Sequence, residues 1–155
     1  MGTIQPWPEK ARPLRKIIVD EQEHISAILE VCLAEGMEDQ NYNLVDLLLP
    51  KIRPRAERIK ETCKEIAHLI PRRGRTPKWG EIALDINAHS RQILRCLDLI
   101  KQESRHNRYI TVAHLLNLAL KHSRAIADRL DDLPYNDVYD IDIPEVWYEA
   151  FGGDE

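Results

Sequence analysis

The sequence predicts an all-α protein, an up-down four-helix bundle made of two antiparallel helical hairpins. Three observations carry this reading. Hydrophobic residues make up 43% of the chain but Phe occurs once, so the core has to be built from Leu, Ile, Val and Ala, a mix that favours helix. Apolar residues recur at intervals of three and four, the period of one helix face. The 9 Pro and 6 Gly fall in clusters between the periodic stretches, where they act as punctuation. With 155 residues the chain has the length of one domain with its own core.

Each element follows from its local pattern. Pro13 suits a first helical turn, and Leu14, Ile17, Ile18, Ile25, Ile28, Leu29, Cys32 and Leu33 then repeat at helical spacing, with Gly36 read as the C-terminal cap. A second helix starts near residues 41–43 and runs to Ile70, with Ile52, Ala56, Ile59, Cys63, Ile66 and Ile70 on one stripe; Pro50 and Pro54 each remove a backbone donor and are expected to kink it. Thr76 and Pro77 read as the N-cap and first residue of a third helix, which carries Ile82, Ile86, His89, Ile93, Leu97 and Ile100 on its inner stripe. The stretch "SRHN" breaks the pattern before a fourth helix over 108–132, apolar nearly all round at "VAHLLNLALKH" and therefore expected to be the most buried. Short connections make neighbours antiparallel. This divides the chain into an extension over residues 1–12, a bundle over 13–133 and an acidic aromatic tail over 134–155. Val146, Trp147, Ala150 and Phe151 give the tail one apolar face of a short helix after Pro144, too short to be stable undocked.

The three cysteines are far apart, form no C-x-x-C pair and lie on apolar stripes, which reads as buried thiols in a reducing compartment. No apolar run approaches the roughly 20 residues of a membrane span. The proline-broken start "MGTIQPWPEKARP" has no leader character, so the expectation is a cytoplasmic protein with no membrane contact.

One phrase occurs twice. "VDEQEHISAIL" over residues 19–29 and "LDINAHSRQIL" over 84–94 share Asp20, His24, Ile28 and Leu29 with Asp85, His89, Ile93 and Leu94 at equal spacing. Asp and His four apart share a helix face, and carboxylate with imidazole is an ordinary ligand set for zinc or iron. Two such pairs meeting in a bundle core, with His114 or His122 adding a ligand, would make a metal site. Di-iron bundles, however, take Glu from two helices and Glu-x-x-His from the other two. The phrase is therefore read first as a reused helix pattern and second as a metal site, and no cofactor is expected.

Histidine phosphotransfer modules share the bundle architecture. Ala precedes His68, His89 and His114, but the Lys and small residues that such modules place after the histidine are replaced by Pro71, Ile93 and Asn117-Leu118. Arg108 and His114, five residues intervening at the opening of the fourth helix, carry a second resemblance. Their spacing resembles that of HEPN-class ribonucleases, which are all-helical and dimeric with Arg-x4-6-His near the start of a late helix. The resemblance covers the motif and the helical class. It implies His114 as general acid or base at a ribose hydroxyl and Arg108 as the group that stabilises the charged phosphorane.

Charge is partitioned along the chain. Residues 51–78 hold ten basic side chains against three acidic ones, a balance of +7, whereas residues 128–155 balance at −9 and residues 20–46 hold eight acids with no Lys or Arg. The basic segment, with Arg53, Arg55, Arg58 and Lys60 on its helix and Arg72, Arg73 and Arg75 in the following loop, suits phosphates or an acidic protein surface. Trp147 and Phe151, flanked by acids, suit an apolar groove with a basic rim. The function read from this is a non-catalytic regulatory or assembly subunit, binding a protein partner or a second copy of itself through these two surfaces, with nucleic-acid contact by residues 51–78 as an extension. The alternatives are the ribonuclease on Arg108 and His114 and the metal-binding bundle on Asp20, His24, Asp85 and His89.

Overall fold

The computed structural model describes residues 8–133. It contains four long helices, α1 (Arg12–Val31), α2 (Tyr42–Ala67), α3 (Lys78–Arg105) and α4 (Tyr109–Leu130), with no strand among the described residues. A 3-10 turn, Glu9–Ala11, leads into α1, and a π-helical turn, Cys32–Glu38, continues it. Each helix packs on its neighbours in the chain, and α1 packs on α4, which closes the ring. The up-down bundle of two helical hairpins is thereby present, with α1 and α3 on one diagonal and α2 and α4 on the other. Residues 134–155, and with them Trp147, Phe151 and the predicted short helix, lie outside the described residues, as do residues 1–7.

Isoleucines at seven-residue intervals form the core. Ile18 and Ile25 on α1, Ile52, Ile59 and Ile66 on α2, and Ile86, Ile93 and Ile100 on α3 are all fully buried. Seven residues are close to two helical turns, so each ladder keeps to one face, the spacing that suits shallow helix crossings. Cys32, Cys63 and Cys96 are free thiols set among these residues.

The prolines do not interrupt α2, which runs unbroken through Pro50 and Pro54. Three expectations need correction. Gly36 does not end a helix; it sits inside the π-helical turn, where a Cβ would collide with the Val45 side chain, so its role is close packing against α2. The left-handed residues that end the segments are Gln40 (φ 57°) and Asn107 (φ 56°), and asparagine is among the side chains that tolerate that region best. Thr76 does not cap α3. Pro77 takes that position, its carbonyl accepting the N–H groups of Gly80 and Glu81 at 2.9 and 3.1 Å, because an extended ψ of 157° delays helical geometry by one residue. Finally, α3 rather than α4 is the most buried helix. The apolar surplus of α4 points outward, with Ile110 79% and Leu118 44% exposed, because each helix of a closed ring touches its two neighbours along one sector only.

The seam between α1 and α4 carries a polar network. Gln22 Nε2 donates to Ser26 Oγ at 2.9 Å and to the Ser123 carbonyl at 3.0 Å, and the Ser26 and Ser123 hydroxyls meet at 2.7 Å. Arg15, 8% exposed, donates to the carbonyls of Leu130 (2.9 Å) and Leu133 (3.3 Å). A buried guanidinium thus caps the C-terminus of α4, where the helix dipole favours a cation. No helix among the described residues is long and apolar enough to cross a membrane.

Candidate functional site

The seam between α2 and α3 is tight at its centre, where the Ser90 hydroxyl donates to the Ala56 carbonyl at 2.6 Å, and opens at its surface. Where α2 begins and α3 ends lies a groove of about 570 Å³ with Leu49, Pro50, Pro54 and Leu97 in its walls. The prolines are four apart and so share a helix face. Neither has an N–H, so the carbonyls of Asp46 and Pro50 lose their usual helical donors beside the groove. Arg53, Lys101 and Arg105 stand around it with Asp46 and Ser104, and the Ser104 hydroxyl donates to the Asp46 carboxylate at 3.0 Å. A second, more polar recess on the same seam is lined by Lys60, Arg91 and Arg95 beside Ala88 and Leu94. Asp98 belongs to this second recess and holds Arg53 of the first in an ion pair, so the two recesses adjoin.

This arrangement divides the sequence-predicted basic surface. Arg53 and Lys60 reach the α2–α3 seam. Arg55 and Arg58 turn the other way, to Glu21 on α1, at 2.8 and 3.5 Å. Two arginines around one half-buried carboxylate form an internal ion-pair cluster. Arg72, Arg73 and Arg75 are exposed in the α2–α3 connection, around Gly74 at φ 88°. Sequence reasoning missed the α3 cations Arg91, Arg95, Lys101 and Arg105. Their signal was present, because 91, 95, 98, 101 and 105 follow one helical stripe, but acids and apolar residues dilute it along the chain.

The repeated phrase separates into two environments. On α1, Asp20 pairs with Lys16 at 3.3 Å, and the Nδ1–H of His24 donates to the Asp20 carbonyl at 2.7 Å. Both side chains are exposed. On α3, Asp85 pairs with Arg129 of α4 at 2.9 Å, and His89 meets His122 of α4 with 3.0 Å between their Nδ1 atoms. The rings are tilted by 46° with centroids 5.2 Å apart. Burial first, then the charges of His89 and Lys121, lower the pKa of His122 from its ordinary value. Because α1 and α3 are diagonal, the two Asp–His pairs stay apart, and no group of three or more His, Cys, Asp or Glu side chains among the described residues is placed to hold a metal.

Arg108 stands at the N-terminus of α4 with its guanidinium on the Glu103 carboxylate at 3.3 Å, and His114 is exposed. Six residues at about 100° each put them about 120° apart around the helix axis, on different faces. The thiols are unsuited to nucleophilic chemistry. Burial pushes Cys32 up to about 11 and Cys63 up to about 12, and raises Cys96 as well. No protein family, curated protein or solved structure matches the chain, so the geometry alone supports a functional reading.

Proposed function

We propose that the protein is a non-catalytic binding subunit whose α2–α3 seam takes an acidic, partly apolar segment of a partner protein. One observation carries this: an apolar groove with Arg53, Lys101 and Arg105 around it, continuing into a recess with Lys60, Arg91 and Arg95. The walls favour side chains such as Leu, Trp or Phe, and the cations favour carboxylates flanking them. A phosphate backbone would use the cations and leave the apolar walls of Leu49, Pro50, Pro54 and Leu97 uncovered, which favours a peptide over nucleic acid. The chain's own residues 137–151, which carry Trp147, Phe151 and five acids, have the required chemistry, so a second copy of the protein is one partner that fits.

The test is fluorescence anisotropy with a dye-labelled peptide of residues 137–151 and, separately, a labelled single-stranded RNA. The peptide should bind the full chain with an affinity that falls as salt rises. Lys101→Glu combined with Arg105→Glu should abolish binding while folding is kept. Tighter binding of the RNA, or peptide binding that ignores the double variant, overturns the reading.

A further inference from the structure

We propose that His89 and His122 form a two-imidazole chelate for a divalent transition-metal ion, Cu2+ or Ni2+, at the α3–α4 seam. The pair lies apart from the α2–α3 groove and does not depend on the function proposed for it.

The spacing of the two rings suits a single ion. The Nδ1 atoms are 3.0 Å apart on two helices that pack directly against each other. Imidazole nitrogens bind these metals at about 2.0–2.1 Å, so an ion equidistant from both would see them about 95° apart. This is the cis angle of square-planar or octahedral coordination, the geometry of Cu2+ and Ni2+, and it is narrower than the tetrahedral angle zinc prefers. Both rings are half-buried, so part of the ordering needed for chelation is complete before the metal arrives.

In the metal-free protein one Nδ1–H donates to the other Nδ1. On binding, that proton moves through water to Nε2 of its own ring, both rings stay neutral, and the rings turn from their hydrogen-bonded orientation so that the two Nδ1 lone pairs converge on the ion. Water completes the coordination. Asp85, one turn before His89, is held by Arg129, and with Lys121 beside His122 the surroundings are cationic. The site is therefore expected to be a modest chelate that binds the ion as a doubly imidazole-ligated centre. The other histidines, His24, His68, His106 and His114, are exposed and supply the single-imidazole background.

The experiment titrates the full chain with Cu2+ alone and with Ni2+ alone, followed by isothermal calorimetry and, for Cu2+, by the nitrogen hyperfine structure of the paramagnetic spectrum. One equivalent should bind with two coupled imidazole nitrogens. Losing an outer-shell partner of a metal ligand costs about 10–100-fold, so His89→Gln or His122→Gln should weaken that equivalent at least about tenfold. His24→Gln and His114→Gln should leave it unchanged. In the wild-type protein, sub-stoichiometric Cu2+ should broaden the ring resonances of His89 and His122 before those of the other four histidines, a readout independent of how the variants fold. A Cu2+ equivalent that survives in His89→Gln and His122→Gln, or broadening spread evenly over all six histidines, overturns the proposal.

Discussion

Two seams of this bundle solve the same packing problem with different chemistry at their surfaces. Between α1 and α4 a largely buried polar network is satisfied: Gln22, Ser26 and Ser123 bond one another, and Arg15 closes the end of α4. Between α2 and α3 the seam carries two prolines, a row of exposed cations and a groove. Satisfied buried polar networks stiffen a structure. Prolines within a helix weaken it, and an open groove leaves apolar surface uncovered. The difference teaches that the α1–α4 seam is held out to its polar rim, whereas the α2–α3 seam is held at its centre by Ser90 on the Ala56 carbonyl and kept available at its surface. Sequence changes on the two sides should therefore have opposite consequences for stability.

The largest effect is expected at the α1–α4 seam. Arg15→Ala removes a charged donor from two carbonyls at the end of α4 and should cost about 2–3 kcal/mol, because hydrogen bonds to charged groups are worth about 1.5–3 kcal/mol. Urea unfolding gives the loss, and hydrogen exchange should place it in the last turn of α4. Arg15→Lys should recover little, since one ammonium lacks the planar fork that spans both carbonyls.

Pro54→Ala should move stability the other way. Proline inside a helix is about 3 kcal/mol less favourable than alanine, and the freer unfolded chain of the variant offsets about 0.4–1 kcal/mol of that. Pro54 is exposed, so little packing is lost, and a net gain of about 2 kcal/mol is expected. The same change removes a wall of the groove and should weaken the acidic peptide. A destabilised variant would show that the proline is held by packing rather than tolerated for binding, and the contrast between the seams would fail.

Much of this architecture was legible in the sequence, because helix existence depends on periodicity within one segment. The stripe Ile52–Ala56–Ile59–Cys63–Ile66 on α2 specified its buried face without knowledge of its neighbours. What the sequence could not supply were facts about pairs of segments. Arg55 and Arg53 are two residues apart and equally basic, yet one serves Glu21 on α1 and the other the groove, because two residues turn a helix by about 200°. The spacing of His89 points to Asp85, whereas its partner is His122, thirty-three residues away. The exposed apolar residues of α4 misled for the same reason: composition records how much could be buried, and the ring geometry decides how much is.

Gln22→Ala sharpens the comparison at smaller scale. Gln22 is 7% exposed and its amide serves both Ser26 and the Ser123 carbonyl, so removal should cost about 1–2 kcal/mol. Combined with Ser123→Ala, the loss should be non-additive by at least about 0.5 kcal/mol, because the two side chains share one network. Combined with Lys101→Glu on α3, the losses should simply add. Coupling across that second pair would mean the two seams are not energetically separate.

The smallest stability effect, and the sharpest contrast, lies within α2 and α3 themselves. Lys101 and Arg105 are exposed, and surface charges of this kind contribute about 0–1 kcal/mol. Reversing both should shift the unfolding midpoint little and abolish capture of the acidic peptide. Arg55 and Arg58 make the converse case. They carry the same charge on the same helix, but Glu21, with 13% of its side chain exposed, holds them against α1. Reversing them strands a half-buried carboxylate among like charges, so stability should fall while the groove keeps its peptide. The two double variants therefore separate charge that holds the bundle together from charge that faces a ligand. If both weakened the peptide equally at constant folding, general electrostatic attraction would account for binding and the groove would have no part in it.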